Sequence, residues 1–202
     1  MGIIDSVIFD WGGVLIDNPR PGLMQYCAKA FGVSVEEYIK VHDRFLDDFQ
    51  KGLVSEEEFW SRVCGLLKKP KPTQHSLWGE AFRAAYSPRQ EVFALAFKLH
   101  ANVYKVALLS NTEVPAMQFF YEQGYDAFDV RVFSCMEGIV KPDKKIYEII
   151  VEKIGSNVKQ VVFIDDNPDF IEGARQIGLK TILFKNLDQV NDQLIKLGVK
   201  ID

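Results

Sequence analysis

The sequence predicts an α/β fold: a Rossmann-like, doubly wound parallel sheet core that carries an inserted α-helical cap domain. Three observations predict it. Short runs rich in Val, Ile and Leu recur along the chain, apolar on consecutive residues and too short for helices, as expected of strands buried on both faces. Amphipathic helical patterns separate these runs, and strands alternating with helices imply right-handed crossovers and a parallel sheet covered on both sides. One stretch breaks the alternation: from about Asn18 to Tyr86 only helical patterns occur.

The first strand is expected over Ser6 to Phe9. The helical stretch follows, with patterns over residues 20–31, 35–49, 56–67 and 75–85, and Ser55-Glu56-Glu57-Glu58 supplies a capping box for the third. An all-helical insertion at this point places a cap over the carboxyl edge of the sheet, where open α/β folds bind ligands. The division is therefore residues 1–17 and 87–202 for the core and 18–86 for the cap. The core resumes at Ser87-Pro88-Arg89-Gln90, read as an N-cap, a first-turn proline and a capping-box Gln, with Val92, Leu95, Ala96 and Leu99 at helical spacing. A second strand is expected over 105–109, then a helix over 115–123 stopped by Gly124, and a strand candidate over 130–133. The remaining pairs are a helix over 143–154 stopped by Gly155, a strand over 160–164, a helix over 169–177 stopped by Gly178, and a strand over 180–184.

The composition narrows the function classes. A net charge of −4 carries no basic excess, which argues against a nucleic-acid partner, and the cluster Lys68, Lys69 and Lys71 around Pro70 and Pro72 reads as a solvated connector. Cys27, Cys64 and Cys135 lie far apart without CxxC spacing, so neither a disulfide framework nor a zinc site is expected. No run approaches the roughly 20 apolar residues of a membrane helix. The expectation is a cytoplasmic protein with free thiols and no membrane partner; its oligomeric state is not readable.

The chemistry gathers where apolar strands end. Strand one runs into Asp10-Trp11-Gly12-Gly13, strand two into Ser110-Asn111-Thr112, and the 160–164 strand into Asp165-Asp166-Asn167. Parallel strands present their carboxyl ends at one edge, so these groups can share a cleft. Three carboxylates meeting there repel one another unless a hard divalent cation neutralises them, and oxygen-only ligation favours Mg2+. Lys141 precedes a helix, and with the Ser110 hydroxyl and the backbone amides after it would form a phosphate cradle. Asp10 is then the natural nucleophile, since a carboxylate needs no deprotonation at neutral pH and aspartyl-phosphate is an established intermediate type. Each segment alone reads as a turn, a helix cap or a surface lysine. The order and strand-end placement of all four is the specific signal.

These four segments resemble, in order, the four motifs of the haloacid-dehalogenase-like hydrolase superfamily, over residues 6 to about 184. The resemblance is to its helical-cap phosphatase branch, the group of epoxide-hydrolase N-terminal domains and glucose-1-phosphate-phosphatase-like proteins. It implies Asp10 as nucleophile, Ser110 and Lys141 as catalytic phosphate contacts, and Mg2+ held by Asp10, the Gly12 backbone carbonyl, Asp165 and Asp166. It also implies that Asn111 and Lys51, the latter in Gln50-Lys51-Gly52 of the cap, face the substrate. The activity implied is hydrolysis of a small phosphomonoester, such as a sugar phosphate, through an aspartyl-phosphate.

One position departs from the pattern. Most phosphatases of this family carry a second Asp two residues after the nucleophile as general acid and base, and here Gly12 stands there. Loss of such a group costs on the order of 10² to 10⁴ in rate, so leaving groups that depart easily are expected, together with an accumulating phospho-enzyme. A catalytically weak, phosphate-binding or regulatory protein is the alternative. A halide-releasing dehalogenase would not need the Asp165-Asp166 pair, and a receiver domain would carry its acidic pair after the first strand. Asp17 and Arg20 read as solvated linker residues, and His42, His75 and His100 have no neighbours that suggest catalysis.

Overall fold

The computed structural model describes residues 3–201, so positions 1, 2 and 202 of the expected core range lie outside it. Strands β1 (Ser6–Phe9), β2 (Lys105–Ser110), β3 (Val130–Phe133), β4 (Val161–Asp165) and β5 (Lys180–Leu183) form one sheet in the order β3-β2-β1-β4-β5. Every neighbouring pair is parallel.

Side chains that alternate along the strands fill two separate apolar clusters. Val7, Phe9, Val106, Leu108, Val162 and Ile164 face one side, while Ile8, Ala107, Leu109, Val161 and Phe163 face the other. Helices α9 (Lys144–Ile154) and α10 (Pro168–Gln176) cover the second face through Ile146, Tyr147, Ile150, Ile171 and Ala174. The first face packs against α6 (Gln90–Ala101) through Val92, Leu95, Ala96 and Leu99, and against α11 (Leu187–Lys196) through Val190 and Leu194. The chain moves outward from β1 to β2 and β3, then returns to place β4 on the other side of β1. That reversal opens a crevice at the carboxyl ends of the central strands.

The helical stretch contains α1 (Arg20–Phe31), α2 (Val35–His42), α3 (Leu46–Gln50), α4 (Glu56–Leu67) and α5 (Leu77–Ala85). The expected capping box at Ser55 and Glu58 is present, and Ser34 and Ser76 cap α2 and α5 with their side chains. Phe49, Phe59, Trp60 and Trp78 build an aromatic centre, with Phe49 stacked on Phe59 at 4.3 Å. Its buried residues join the cluster on the first sheet face, so the helical stretch and the core share one continuous interior.

Several expectations are corrected. The single helix expected over 35–49 is two helices, because the chain turns at Asp43, whose carboxylate pairs with Arg20 and His42. Ser87 does not cap a helix: its hydroxyl donates to Asp17, Pro88 bridges Ile16, and α6 starts at Gln90. Those contacts tie together the two places where the chain crosses between core and helical stretch. The helix expected over 115–123 is α7 (Val114–Glu122), residues 158–160 form a 3₁₀ turn ahead of β4, and α8 (Ser134–Glu137) and α11 are additional helices. Among the described residues, no helix is long and apolar enough to cross a membrane, and all three cysteines are free and buried.

Candidate active site

The register of the sheet brings the polar strand ends together. Phe9 lies level with Leu108 and Ile164, so Asp10 follows on the central strand beside Asp165. Behind Asp10 the chain coils sharply: the Trp11 carbonyl accepts hydrogen bonds from the amides of Leu15 and Ile16 at 2.9 and 3.0 Å. Gly13 makes this turn possible. Its φ is +90°, and a Cβ there would sit 2.1 Å from Asp166 Oδ2, so glycine is required both for the backbone conformation and for the approach of that carboxylate. Gly12 is less confined, since a Cβ would meet only Pro19, at 3.3 Å.

Lys141 reaches the centre from the opposite side. It is buried, and its ammonium lies 2.8 Å from Asp10 Oδ1 and 2.7 Å from Asp165 Oδ2, while also donating to the Leu109 carbonyl at 3.3 Å. The Lys141-Pro142 peptide is cis. Asn111 fixes this segment: its side-chain amide donates to the Lys141 carbonyl at 3.0 Å and accepts from the Lys141 amide at 2.8 Å. Asn111 lines the cleft as expected, yet its amide group is committed to placing Lys141. Ser110 is buried at the cleft floor, its hydroxyl 2.5 Å from that of Thr112.

Asp10, Asp165 and Asp166 each offer an oxygen, and these atoms lie within 4.8 Å of one another. One buried ammonium leaves this group short of positive charge. Burial, partly offset by Lys141, pushes the Asp10 carboxyl up to about 7; burial and the neighbouring Asp165 raise Asp166 as well. Burial alone would lower the Lys141 ammonium, but Asp10 and Asp165 outweigh it and hold the charged form. Asp165 has both oxygens engaged, one with Lys141 and one with the Asn167 amide at 2.8 Å, whereas Asp166 is exposed to the cleft. An all-oxygen donor set with excess negative charge fits a hard divalent cation such as Mg2+.

Above this floor lies a cavity of about 510 Å³, within the range of small-molecule sites. The helical stretch supplies its upper wall, including Arg20, Leu23, His42, Gln50, Trp78 and Phe82. Lys51 is not brought into it: its ammonium pairs with Asp47 at 2.7 Å one helical turn away, while the neighbouring Gln50 carbonyl and Gly52 dock on Ser134 and Cys135 of α8. The residue of that segment that lines the cavity is Gln50. Asp17 also lies outside, bonded to Ser87 and Arg89, but Arg20 lines the cleft.

Two polar lining residues were passed over in the sequence, Glu113 unread and His42 set aside as having no neighbours that suggest catalysis. Glu113 is buried where the strand-two loop meets the helical stretch, accepting from Trp78 Nε1 at 3.0 Å and Gln50 Nε2 at 3.1 Å, and burial raises its carboxyl. It looks like an ordinary residue ahead of a helix, and only the fold delivers its two donors. His42 is the second, and its one sequence signal was the adjacent Asp43.

Comparison with known proteins matches residues 4–178 to the haloacid dehalogenase-like hydrolase family. A phosphatase of Mycobacterium tuberculosis is 35% identical over 98% of this chain and 97% of its own length. A HAD family enzyme of Bacteroides thetaiotaomicron, in complex with magnesium and inorganic phosphate, superposes with a TM-score of 0.74 at 24% identity, over 91% of this chain and 95% of that one. A predicted HAD-like family hydrolase of Porphyromonas gingivalis superposes at 0.78 with 26% identity, over 96% and 99%. Some relatives are much longer: the chain spans 37% of a drimenol cyclase of Aspergillus calidoustus and 17% of a mouse acyl-CoA dehydrogenase family member, at 24% and 28% identity over 96% and 88% of its own length. With the family match covering most of the chain and the strand-end residues meeting in one cleft, this chain belongs to the haloacid dehalogenase-like hydrolase family.

Proposed function

We propose that the protein is a magnesium-dependent phosphatase that hydrolyses a small organic phosphomonoester through an aspartyl-phosphate on Asp10. The observation that carries this reading is the convergence of three carboxylates and one buried ammonium at the crevice beside β1. The magnesium and phosphate in the Bacteroides complex and the phosphatase from Mycobacterium support it.

A bound Mg2+, held by Asp10, the Gly12 carbonyl and Asp166 with Asp165 behind, would neutralise the repulsion between the attacking carboxylate and the phosphate. The chain's own groups do the rest. An Asp10 oxygen attacks phosphorus as the bond to the ester oxygen breaks. Lys141 and Ser110 hold the phosphoryl oxygens, and Asp165 and Asn111 hold Lys141. Water then attacks the phosphorus of phosphoryl-Asp10, whose bond to the Asp10 carboxyl oxygen breaks to release inorganic phosphate and regenerate the carboxylate. Residues 18–86 act as the cap that selects the ester. Gly12 offers no proton to the departing oxygen, so sugar 1-phosphates and acyl or aryl phosphates should turn over faster than simple alkyl phosphates.

Rapid quenching with an aryl phosphate tests the covalent step. The expected result is a burst of the released phenol stoichiometric with enzyme, and a phosphorylated peptide containing Asp10; phosphorylation elsewhere contradicts the assignment. The alternative, a regulatory phosphate binder, is separated by Gly12→Asp. On the phosphatase reading this variant turns over alkyl esters faster by about 10² or more; a binder gains nothing.

A further inference from the structure

His42 lines the same cavity as Asp10 and is only 1% exposed. Its ring is held on every side. Trp78 stacks on it at 5.3 Å and 13°, the Phe59 ring meets it edge-on at 5.6 Å, and Tyr38 packs at 5.6 Å. Nδ1 lies 2.9 Å from Asp43 Oδ1, and Arg20 grips the same carboxylate through both oxygens at 2.8 and 2.9 Å. Nε2, by contrast, is buried with no hydrogen-bond partner. A buried polar atom left unpaired is costly, and here three aromatic rings and Asp43 orient the ring that carries it. Such an arrangement suits a group that receives its partner from the ligand.

The state of the ring says what that partner is. Burial lowers the imidazole, favouring the neutral form. Burial would raise Asp43, but hydrogen bonds from His42 and Arg20 outweigh it and keep the carboxylate ionised. An ionised Asp43 takes the Nδ1 hydrogen, so the lone pair sits on Nε2. The unpartnered atom is thus an acceptor. The wall that holds His42 otherwise carries Leu23, Met24, Leu46, Trp78 and Phe82 together with Arg20 and Gln50, and these two are already engaged, Arg20 with Asp43 and Gln50 with Glu113.

We infer that His42 is a specificity residue for the departing half of the substrate: its Nε2 accepts a hydrogen bond from a hydroxyl or N–H on an organic group that otherwise packs against apolar and aromatic side chains. This rests on the phosphatase reading and deepens it. The substrate class is a phosphomonoester of an alcohol whose body is mostly apolar and carries one further hydrogen-bond donor. A site built to pair with a donor discriminates strongly against an analogue lacking it, because its own polar group stays unpaired.

The test is a set of matched esters: phenyl, benzyl and 2-phenylethyl phosphate, each with and without one ring hydroxyl at the 3 or 4 position. Binding is titrated to the Asp10→Asn protein with magnesium. At least one hydroxylated ester should bind tenfold or more tightly than its parent, and His42→Phe in that background should reduce this preference to within twofold while parent binding stays within twofold. Asp43→Asn, which keeps the ring but releases Nδ1, should reduce the preference at least threefold and serves if His42→Phe does not fold. Absence of any hydroxyl preference, or its survival in either variant, overturns the inference. Phosphate release by the unaltered chain from the parent esters is measured in parallel; its absence counts against the phosphatase reading, and the binding comparison still decides the role of His42.

Discussion

The floor and the upper wall of the cavity obey different rules. On the floor, polar groups satisfy one another: Lys141 bridges Asp10 and Asp165, Asn111 clamps the Lys141 backbone, and Asp165 also holds the Asn167 amide. In the wall, His42 Nε2 is buried without a partner. On the phosphatase reading proposed above, the floor is preorganised for a cation and for the phosphoryl group that every ester shares, and the wall keeps an open valence for the part of the substrate that differs from one ester to another. Chemistry and selectivity are, on that reading, carried by separate elements.

The comparison breaks most visibly at Lys141. Replacing it by Met removes the ammonium from between two buried carboxylates, which costs about 3–5 kcal/mol when a buried pair is broken, and phosphate release should be lost with it. Urea unfolding and a turnover assay read both effects; a variant of unchanged stability would show that the floor is not the paired network described.

Next in size is Gly13→Ala, which places a methyl group against Asp166 and forces a strained backbone. Its apparent magnesium affinity should fall by about 10–100-fold, the scale of losses when groups supporting a metal ligand are disturbed. A magnesium titration of phosphate release checks this. An unchanged midpoint would remove Asp166 from the cation site.

Glu113, at the seam between floor and wall, gives a pH-dependent effect. Burial raises its carboxyl above the ordinary 4.5, so the folded chain holds this proton more tightly than the unfolded one. The residue's contribution to stability is therefore full below pH 4.5 and declines as pH rises toward the folded value. Glu113→Gln should melt close to the unaltered protein at the acid end and above it by a few degrees at pH 8, at about 2–4 °C per kcal/mol for a chain of this size. A difference that shrinks with rising pH contradicts the sign. The smallest effect belongs to Lys51→Ala, where KM should stay within twofold because the side chain lies outside the cavity.

Floor and wall also differed in how far they could be read from sequence. Apolar runs ending in Asp10, Ser110 and Asp165 mark buried parallel strands and their carboxyl edge at once, since local composition determines both. Gly13 and Asn111 lay within those motifs, but their tasks required the register that brings Asp166 and the Lys141 loop to them. The helical stretch announced itself by periodicity and by the Ser55 capping box. Its chemistry did not, because His42, Gln50 and Arg20 meet Trp78, Glu113 and Asp43 only through packing between segments distant in the chain. Lys51 was misread for the same reason: periodicity locates a loop and leaves open which of its side chains turns inward. Helix α11 was overlooked although Asn186, Val190 and Leu194 carry its cap and apolar face.

The central claim is that Asp10 carries the phosphoryl group in a magnesium-dependent reaction. It is tested most directly by phosphate release from a panel of phosphomonoesters, with magnesium or with EDTA, for the unaltered chain and Asp10→Asn in parallel. The account predicts release that requires magnesium and falls at least about 10³-fold in Asp10→Asn, as for loss of a covalent nucleophile; release that persists in Asp10→Asn or in EDTA would contradict it.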